Sequence, residues 1–136
     1  MKIKILIPVY NDWQSVSELL DNIDLSLSNV GHEISVLVIN DASNHDRVDN
    51  DKTFENIISI KILNMKKNQG HARCIATGLK YIYEKEDFDY VLPMDGDGED
   101  RPDEIIQFVE EIKKNKDVAV VGERVKRSEN NLFQFC

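Results

Sequence analysis

The stretch Glu33–Asn40, Glu-Ile-Ser-Val-Leu-Val-Ile-Asn, constrains this chain more than any other part of it. It is β-branched and almost continuously apolar, without the alternation of a strand that shows one face to water. Such a run reads as a central strand covered on both faces, the position that strands occupy in parallel α/β sheets. The neighbouring sequence supplies the cover. Residues 2–9 alternate and then run apolar, as a first strand entering a buried sheet does. Asp12 can cap a helix on which Trp13, Val16, Leu19, Leu20, Ile23 and Leu27 form one stripe, and Gly31 ends that connection. After the central strand come a polar loop from Asp41 to about Asp51 and a third strand at Ile57–Leu63. Gly70–Glu84 is helical, with Ala72, Ile75, Ala76, Leu79, Ile82 and Tyr83 predicted on its apolar side. Tyr90–Met94 is a short fourth strand. Pro102 sits where a helix's first turn accepts it, ahead of Ile105, Ile106, Val109 and Ile112, and Val118–Val121 closes as a fifth strand. The order β-α-β-β-α-β-α-β predicts a three-layer α/β/α architecture around an open, mostly parallel sheet.

Composition enters as a set of exclusions. At 136 residues the chain is one domain of ordinary size, and its net charge of −8 speaks against nucleic acid as a partner, because such binding rests on Lys and Arg contacts to phosphate. The longest apolar stretch, Ile34–Ile39 with Ser35 inside it, falls far short of the roughly 20 residues that a membrane-spanning helix takes. The N-terminus runs straight into a strand without the cleavage site of a secretory signal, so a cytoplasmic location is expected. Cys74 and Cys136 form neither a disulfide framework nor a metal knuckle, and both are expected to remain reduced thiols. There is no GxxxxGK[ST], and Arg101 stands where GxGxxG needs glycine, so the P-loop and dinucleotide readings fail. No GxSxG supports a hydrolase.

Ligands of open α/β sheets bind outside the carboxyl ends of the strands, and three of those ends are unusual here. The sharpest is Asp95-Gly96-Asp97. Two carboxylates around a glycine in a tight loop can turn toward one point, where a hard cation such as Mg²⁺ or Mn²⁺ finds oxygen ligands and holds a diphosphate on its open positions. The cation answers a charge problem as well, since six acids lie between Asp95 and Glu104 against Arg101 alone. The same residues also suit an acidic turn before a helix N-terminus. At the second end, Asn40-Asp41-Ala42-Ser43, an acid can accept hydrogen bonds from a base or ribose, although Asn and Asp are equally ordinary turn residues. The third element, Asn68-Gln69-Gly70-His71-Ala72-Arg73, opens a helix. Backbone N–H groups there attract anions and Arg73 can add a charge-assisted contact, against the plainer reading of a glycine turn with a solvated arginine. His71, with no second His or Cys at metal spacing, reads as a surface or capping histidine.

Taken in order, Ile7-Pro8-Val9-Tyr10-Asn11-Asp12, Val38-Ile39-Asn40-Asp41-Ala42-Ser43, Asn68-Gln69-Gly70-His71-Ala72-Arg73 and Met94-Asp95-Gly96-Asp97-Gly98, the chain resembles the family 2 glycosyltransferases with the GT-A fold. It looks most like bacterial members akin to the polyprenyl- and dolichol-phosphate sugar transferases. The resemblance implies a nucleotide-diphospho-sugar donor, with Pro8, Tyr10, Asp12 and Asp41 along its base and ribose. It also implies that Asp95 and Asp97 are the DXD carboxylates for metal and diphosphate. Asp12, Asn40 and Ala42 depart from the residues more common at those places in the family.

The expectation that follows is the donor-binding part of an inverting glycosyltransferase. Residues 1–122 would form the nucleotide-sugar-binding half, and 123–136 the start of a connection to an acceptor-binding half further along a longer protein. The acceptor would be a lipid phosphate or a saccharide, at the inner face of the cytoplasmic membrane, with membrane association through those further segments. Leu132, Phe133 and Phe135 fit that expectation as apolar residues awaiting a partner segment. Rivals are a non-catalytic module of the same fold that keeps a nucleotide and metal site, and a receiver-like domain. The last would want an acid pair after the first strand, where only Asp12 stands.

Overall fold

In the computed structural model, residues 2–27, 33–44, 53–95, 107–108 and 110–111 are described. They form β1 (Lys2–Val9), α1 (Trp13–Ser26), β2 (Glu33–Asn40), β3 (Ile57–Asn64), α2 (His71–Lys85) and β4 (Tyr90–Pro93). The strands make one sheet in the order β3-β2-β1-β4, and every pairing is parallel. The open parallel sheet expected from the sequence is therefore present. Of the helix expected after Pro102, residues 107–108 and 110–111 are described and helical, while Ile105, Ile106, Val109 and Ile112, the strand at Val118–Val121, Asp97, Cys136 and the segment 123–136 lie outside the described residues.

Strand geometry explains the two cores. Alternate residues of β1 and β2 point to opposite faces. Ile3, Ile5, Ile7, Ile34, Val36 and Val38 pack on one face under α1, while Leu6, Leu37 and Ile39 pack on the other under α2. β2 is covered on both sides, as its composition requires: Ile34 through Ile39 are all buried, Ser35 included. On α1 the six residues of the predicted stripe, Trp13 to Leu27, are all buried, and the Asp12 carboxylate accepts the Ser15 N–H at 3.3 Å as the helix's N-cap. Pro8 fits β1 because the β1–β4 ladder stops at Leu6 opposite Pro93, with the Met94 N–H donated to the Leu6 carbonyl. The missing proline N–H falls past the end of that ladder.

Helix α2 corrects the sequence reading. Its buried residues are Cys74, Ile75, Gly78 and Ile82, whereas Ala72, Ala76 and Tyr83 are exposed. The helix is turned so that its smallest residue meets the sheet. A Cβ on Gly78 would stand 2.4 Å from Leu6 Cδ1 and 3.2 Å from Ile39 Cδ1, and both of those side chains are fully buried. Gly78→Ala would gain about 1 kcal/mol of helix propensity and lose about 1–3 kcal/mol to overpacking, for a net loss. Denaturant titration should show the loss, and the double variant Leu6→Ala/Gly78→Ala should be less destabilised than the sum of its single changes. Additive effects would mean that the close approach is not what turns the helix.

Beneath the C-terminal end of α2, Glu86 joins Lys61 of β3 at 2.7 Å and Lys4 of β1 at 3.9 Å. The hydrogen bond from Lys61 holds the Glu86 carboxyl below the usual range, against burial and with help from the charge of Lys4. Lys2 pairs with Asp87, and its backbone N–H is donated to Asp89. These ion pairs close the amino edge of the sheet beside β1. Phe108, which the apolar spacing did not mark, is buried edge-on against the ring of Tyr90, the first residue of β4, at 6.4 Å.

Candidate functional site

Parallel register brings the motif-bearing segments to one edge. Val9 lies opposite Asn40, and Asn40 opposite Asn64, so residues 10–12, 41–44 and 65–70 leave the sheet side by side, with Met94 and Asp95 beyond β1. Side chains tie the first two segments together. The Asn11 N–H is donated to Ser43 Oγ at 2.8 Å, the Asn44 N–H to Asn11 Oδ1 at 2.6 Å, and Asn44 Nδ2 to the Tyr10 hydroxyl at 3.3 Å. Asn40 spans toward β3: its Oδ1 accepts the Ser43 N–H at 3.0 Å and its Nδ2 is donated to Asn64 Oδ1 at 2.9 Å. Asn11 and Ala42 are the non-glycine residues with positive φ among those described, at 63° and 57°. Such conformations cost about 1–2 kcal/mol for an L-residue, and their concentration at one edge marks a shaped loop pair.

Asp41 joins the second motif to the third. It is buried, and its Oδ1 accepts the Gln69 N–H at 2.7 Å while its Oδ2 accepts the Gly70 N–H at 3.0 Å. Its backbone carbonyl takes Asn68 Nδ2, and its own N–H is donated to the Val9 carbonyl. The backbone donors at the entrance to α2, read from the sequence as an anion site, thus receive an anion from within the chain. Gly70 makes the turn at φ 93°, a region that glycine enters without penalty. Cys74 lies fully buried beside this carboxylate. Burial first, and then its hydrogen bond to Asp41 and the negative charge there, push the Cys74 thiol up to about 12. Cys74 is a free, buried thiol, an environment that disfavours the reactive thiolate.

The first residue of α2 reaches the fourth strand end. His71 Nε2 stands 3.1 Å from Asp95 Oδ1, with the histidine side chain 59% exposed and the aspartate 18%. Sequence reading weighed His71 as a surface residue and had no signal for this contact, which exists only because α2 starts next to the end of β4. Of the other expected site residues, Tyr10 is about half exposed, and Arg73 is exposed on the first turn of α2. Asp12 is exposed at the N-cap, and Pro8 is buried within the sheet rather than at its rim. Asp97 lies outside the described residues. A carboxylate such as that of Asp95 has the hard oxygens that Mg²⁺ or Mn²⁺ prefers, and one contact of Asp95 at this edge is the His71 imidazole. Among the described residues there is no group of three or more His, Cys, Asp and Glu arranged to hold a metal ion. No helix among them is long and apolar enough to cross a membrane.

Known proteins share this fold and sequence pattern. A dolichol-phosphate mannosyltransferase of Pyrococcus furiosus is 27% identical over 126 residues, which is 93% of this chain and 34% of that protein. An undecaprenyl-phosphate 4-deoxy-4-formamido-L-arabinose transferase of Klebsiella pneumoniae is 26% identical over 135 residues, 98% of this chain and 39% of that protein. The chain therefore spans about a third to two-fifths of the length of these curated relatives. Crystal structures of S. aureus TarS 1-349, alone and in complex with UDP-GlcNAc, share the fold at a TM-score of 0.59 and 19% identity. They align with 85% of this chain, and the chain covers 33% and 32% of theirs. The model of the family described as Glycosyl transferase family 2 matches residues 4–135, nearly the whole sequence, and the chain belongs to that family.

Proposed function

We propose that this chain forms the donor-binding part of an inverting glycosyltransferase, which moves a sugar from a nucleotide-diphospho-sugar to a lipid-phosphate or saccharide acceptor. The observation that carries the reading is the carboxyl edge itself, where three motif segments are joined by hydrogen bonds and the fourth meets them at the His71–Asp95 contact. The names of the relatives, both polyprenol-phosphate sugar transferases, support the lipid-phosphate acceptor, and a place on the cytoplasmic side of the membrane is part of the same proposal. Residues 1–122 serve as the nucleotide-sugar unit, and 123–136 lead toward acceptor-binding segments.

In this reading Tyr10, half exposed and fixed through Asn44, flanks the base, with Asp12 and Arg73 at the borders of the nucleotide. Asp95 and Asp97 would be the residues that hold Mg²⁺ or Mn²⁺ for a diphosphate. A cation there supplies electrostatic stabilisation of the charge that develops as the sugar C1–O bond breaks. A lipid-phosphate nucleophile is already ionised and asks for no strong base, whereas a sugar hydroxyl asks for a carboxylate from elsewhere in the protein.

Calorimetric titration of UDP, GDP and their sugars with and without Mn²⁺ tests the proposal. Binding is expected to need the metal and to be lost in Asp95→Ala and in Asp97→Ala. Nucleotide binding that is the same without metal and in both variants would overturn it.

A further inference from the structure

The geometry points to His71 as a positioning residue that sets the aim of the Asp95 carboxylate, itself held in place from β2 through Asp41. The inference rests on the donor-site reading above and deepens it. It stands on a chain of contacts across the rim. Asp41 fixes the backbone of Gln69 and Gly70, the last two residues before α2. Gly70, at positive φ, turns the chain into the helix, and His71 is the helix's first residue. The position of the imidazole therefore follows from the Asp41 anchor rather than from a flexible loop, and Nε2 meets Asp95 Oδ1 at 3.1 Å.

The contact matters because β4 is only four residues long and Asp95 lies two residues past its end. Among the described residues, the Met94 N–H donated to the Leu6 carbonyl ties this segment to β1. One residue further on, His71 brings a side-chain contact to Asp95 from the first turn of α2. The imidazole Nε2, 3.1 Å from Asp95 Oδ1, limits the orientations open to the carboxylate. A site held within about 0.5 Å of its working geometry needs such support from outside the contact itself. The mostly exposed His71 ring contributes little to packing, so its removal acts on the site rather than on the fold.

The test compares the parent chain with His71→Ala, His71→Gln, Asp95→Ala and the double variant His71→Ala/Asp95→Ala. Each is titrated with UDP in the presence of Mn²⁺, and the Asp95 side-chain carboxyl ¹³C resonance is followed in parallel. Glutamine is the conservative change because its Nε2 stands at about the reach of the imidazole Nε2 and donates in the same way. His71→Ala is expected to weaken UDP binding about tenfold, the scale of one charge-assisted hydrogen bond, and to move the Asp95 resonance. His71→Gln should restore both to near the parent. Thermal midpoints should stay within about 2 °C, and His71→Ala should add nothing once Asp95 is alanine. If Asp95→Ala abolishes binding while His71→Ala binds as the parent does, the proposal fails and the donor site stands. Failure of the glutamine to restore binding also overturns it. A parent chain that binds no UDP with Mn²⁺ overturns the donor-site reading and this inference together.

Discussion

Replacing Asp41 with alanine is expected to cost about 3 kcal/mol of unfolding free energy, enough to lower the thermal midpoint by about 10 °C in a domain of this size. The carboxylate accepts two consecutive backbone N–H groups, of Gln69 and Gly70, in a setting where Asp41 itself is 4% exposed. Each bond to a charged acceptor is worth about 1.5–3 kcal/mol, and a donor stranded without one costs about 1–3 kcal/mol. Water can reach the partly buried loop once the side chain is cut back, which puts the expected loss toward the lower end of the sum. Asp41→Asn should fall between parent and alanine, since the amide oxygen can accept one N–H while the NH₂ group meets the other donor head-on. Asp41→Ala should also lower the Cys74 thiol from its value of about 12, because the hydrogen bond and the negative charge that Asp41 supplies both disappear while burial stays. A faster reaction with a thiol reagent is the readout. An alanine variant that melts with the parent but no longer binds nucleotide would show that the carboxylate serves the ligand and not the loop.

Asp41 also shows what the sequence could and could not tell. Elements read from local pattern are present: β1, β2 and the α1 stripe follow from periodicity, and each needs only neighbours within a few residues. The α2 face was misread because the pattern counts large apolar residues, and this helix is oriented by a glycine that approaches Leu6 and by a buried cysteine. Motif positions at the strand ends were legible as well, since parallel order fixes which ends share an edge. The contacts among them were not. Asp41 meets Gln69 and Gly70 across 28 and 29 residues of sequence, and no periodicity reports on such a distance.

Two departures from the family pattern acquire a physical reason at the same edge. Asn40 is engaged through both ends of its amide, with Ser43 and Asn64, so it works as a cross-link from β2 to the edge strand β3. Ala42 at φ 57° takes a conformation better suited to glycine, and the turn it makes lets Ser43 reach the Asn11 N–H. The strain of that turn is offset by the bonds it permits. These residues shape the rim on which Tyr10 and Asp95 are presented.

A second anchor of the same kind leads to the other large expected effect. Asp24 lies near the C-terminal end of α1, where the helix dipole disfavours an acid. Its place there is explained by what it holds. Oδ1 accepts the N–H groups of Asn56 at 2.7 Å and Ile57 at 3.0 Å, Oδ2 accepts that of Glu55 at 3.1 Å, and its backbone carbonyl takes Asn56 Nδ2 at 2.7 Å. Three successive N–H groups thus converge on one carboxylate at the point where β3 begins. Among the described strands β3 pairs with β2 alone, with an irregular register next to Ile57, and the carboxylate fixes its start. Asp24→Ala is expected to cost about 3 kcal/mol, with a few tenths returned by relief at the helix end. The loss should be local before it is global. Amide exchange of Ile57 to Ile60 should speed up strongly, while the β1 amides facing β4 keep their protection after correction for the change in overall stability. Asp24→Asn, which retains an acceptor oxygen, should recover part of the protection. If the β3 amides of Asp24→Ala exchange as slowly as those of the parent, the three bonds do not anchor the strand, and the register of β3 must be set by Ile57, Ile60 and Ile62 packing under α1.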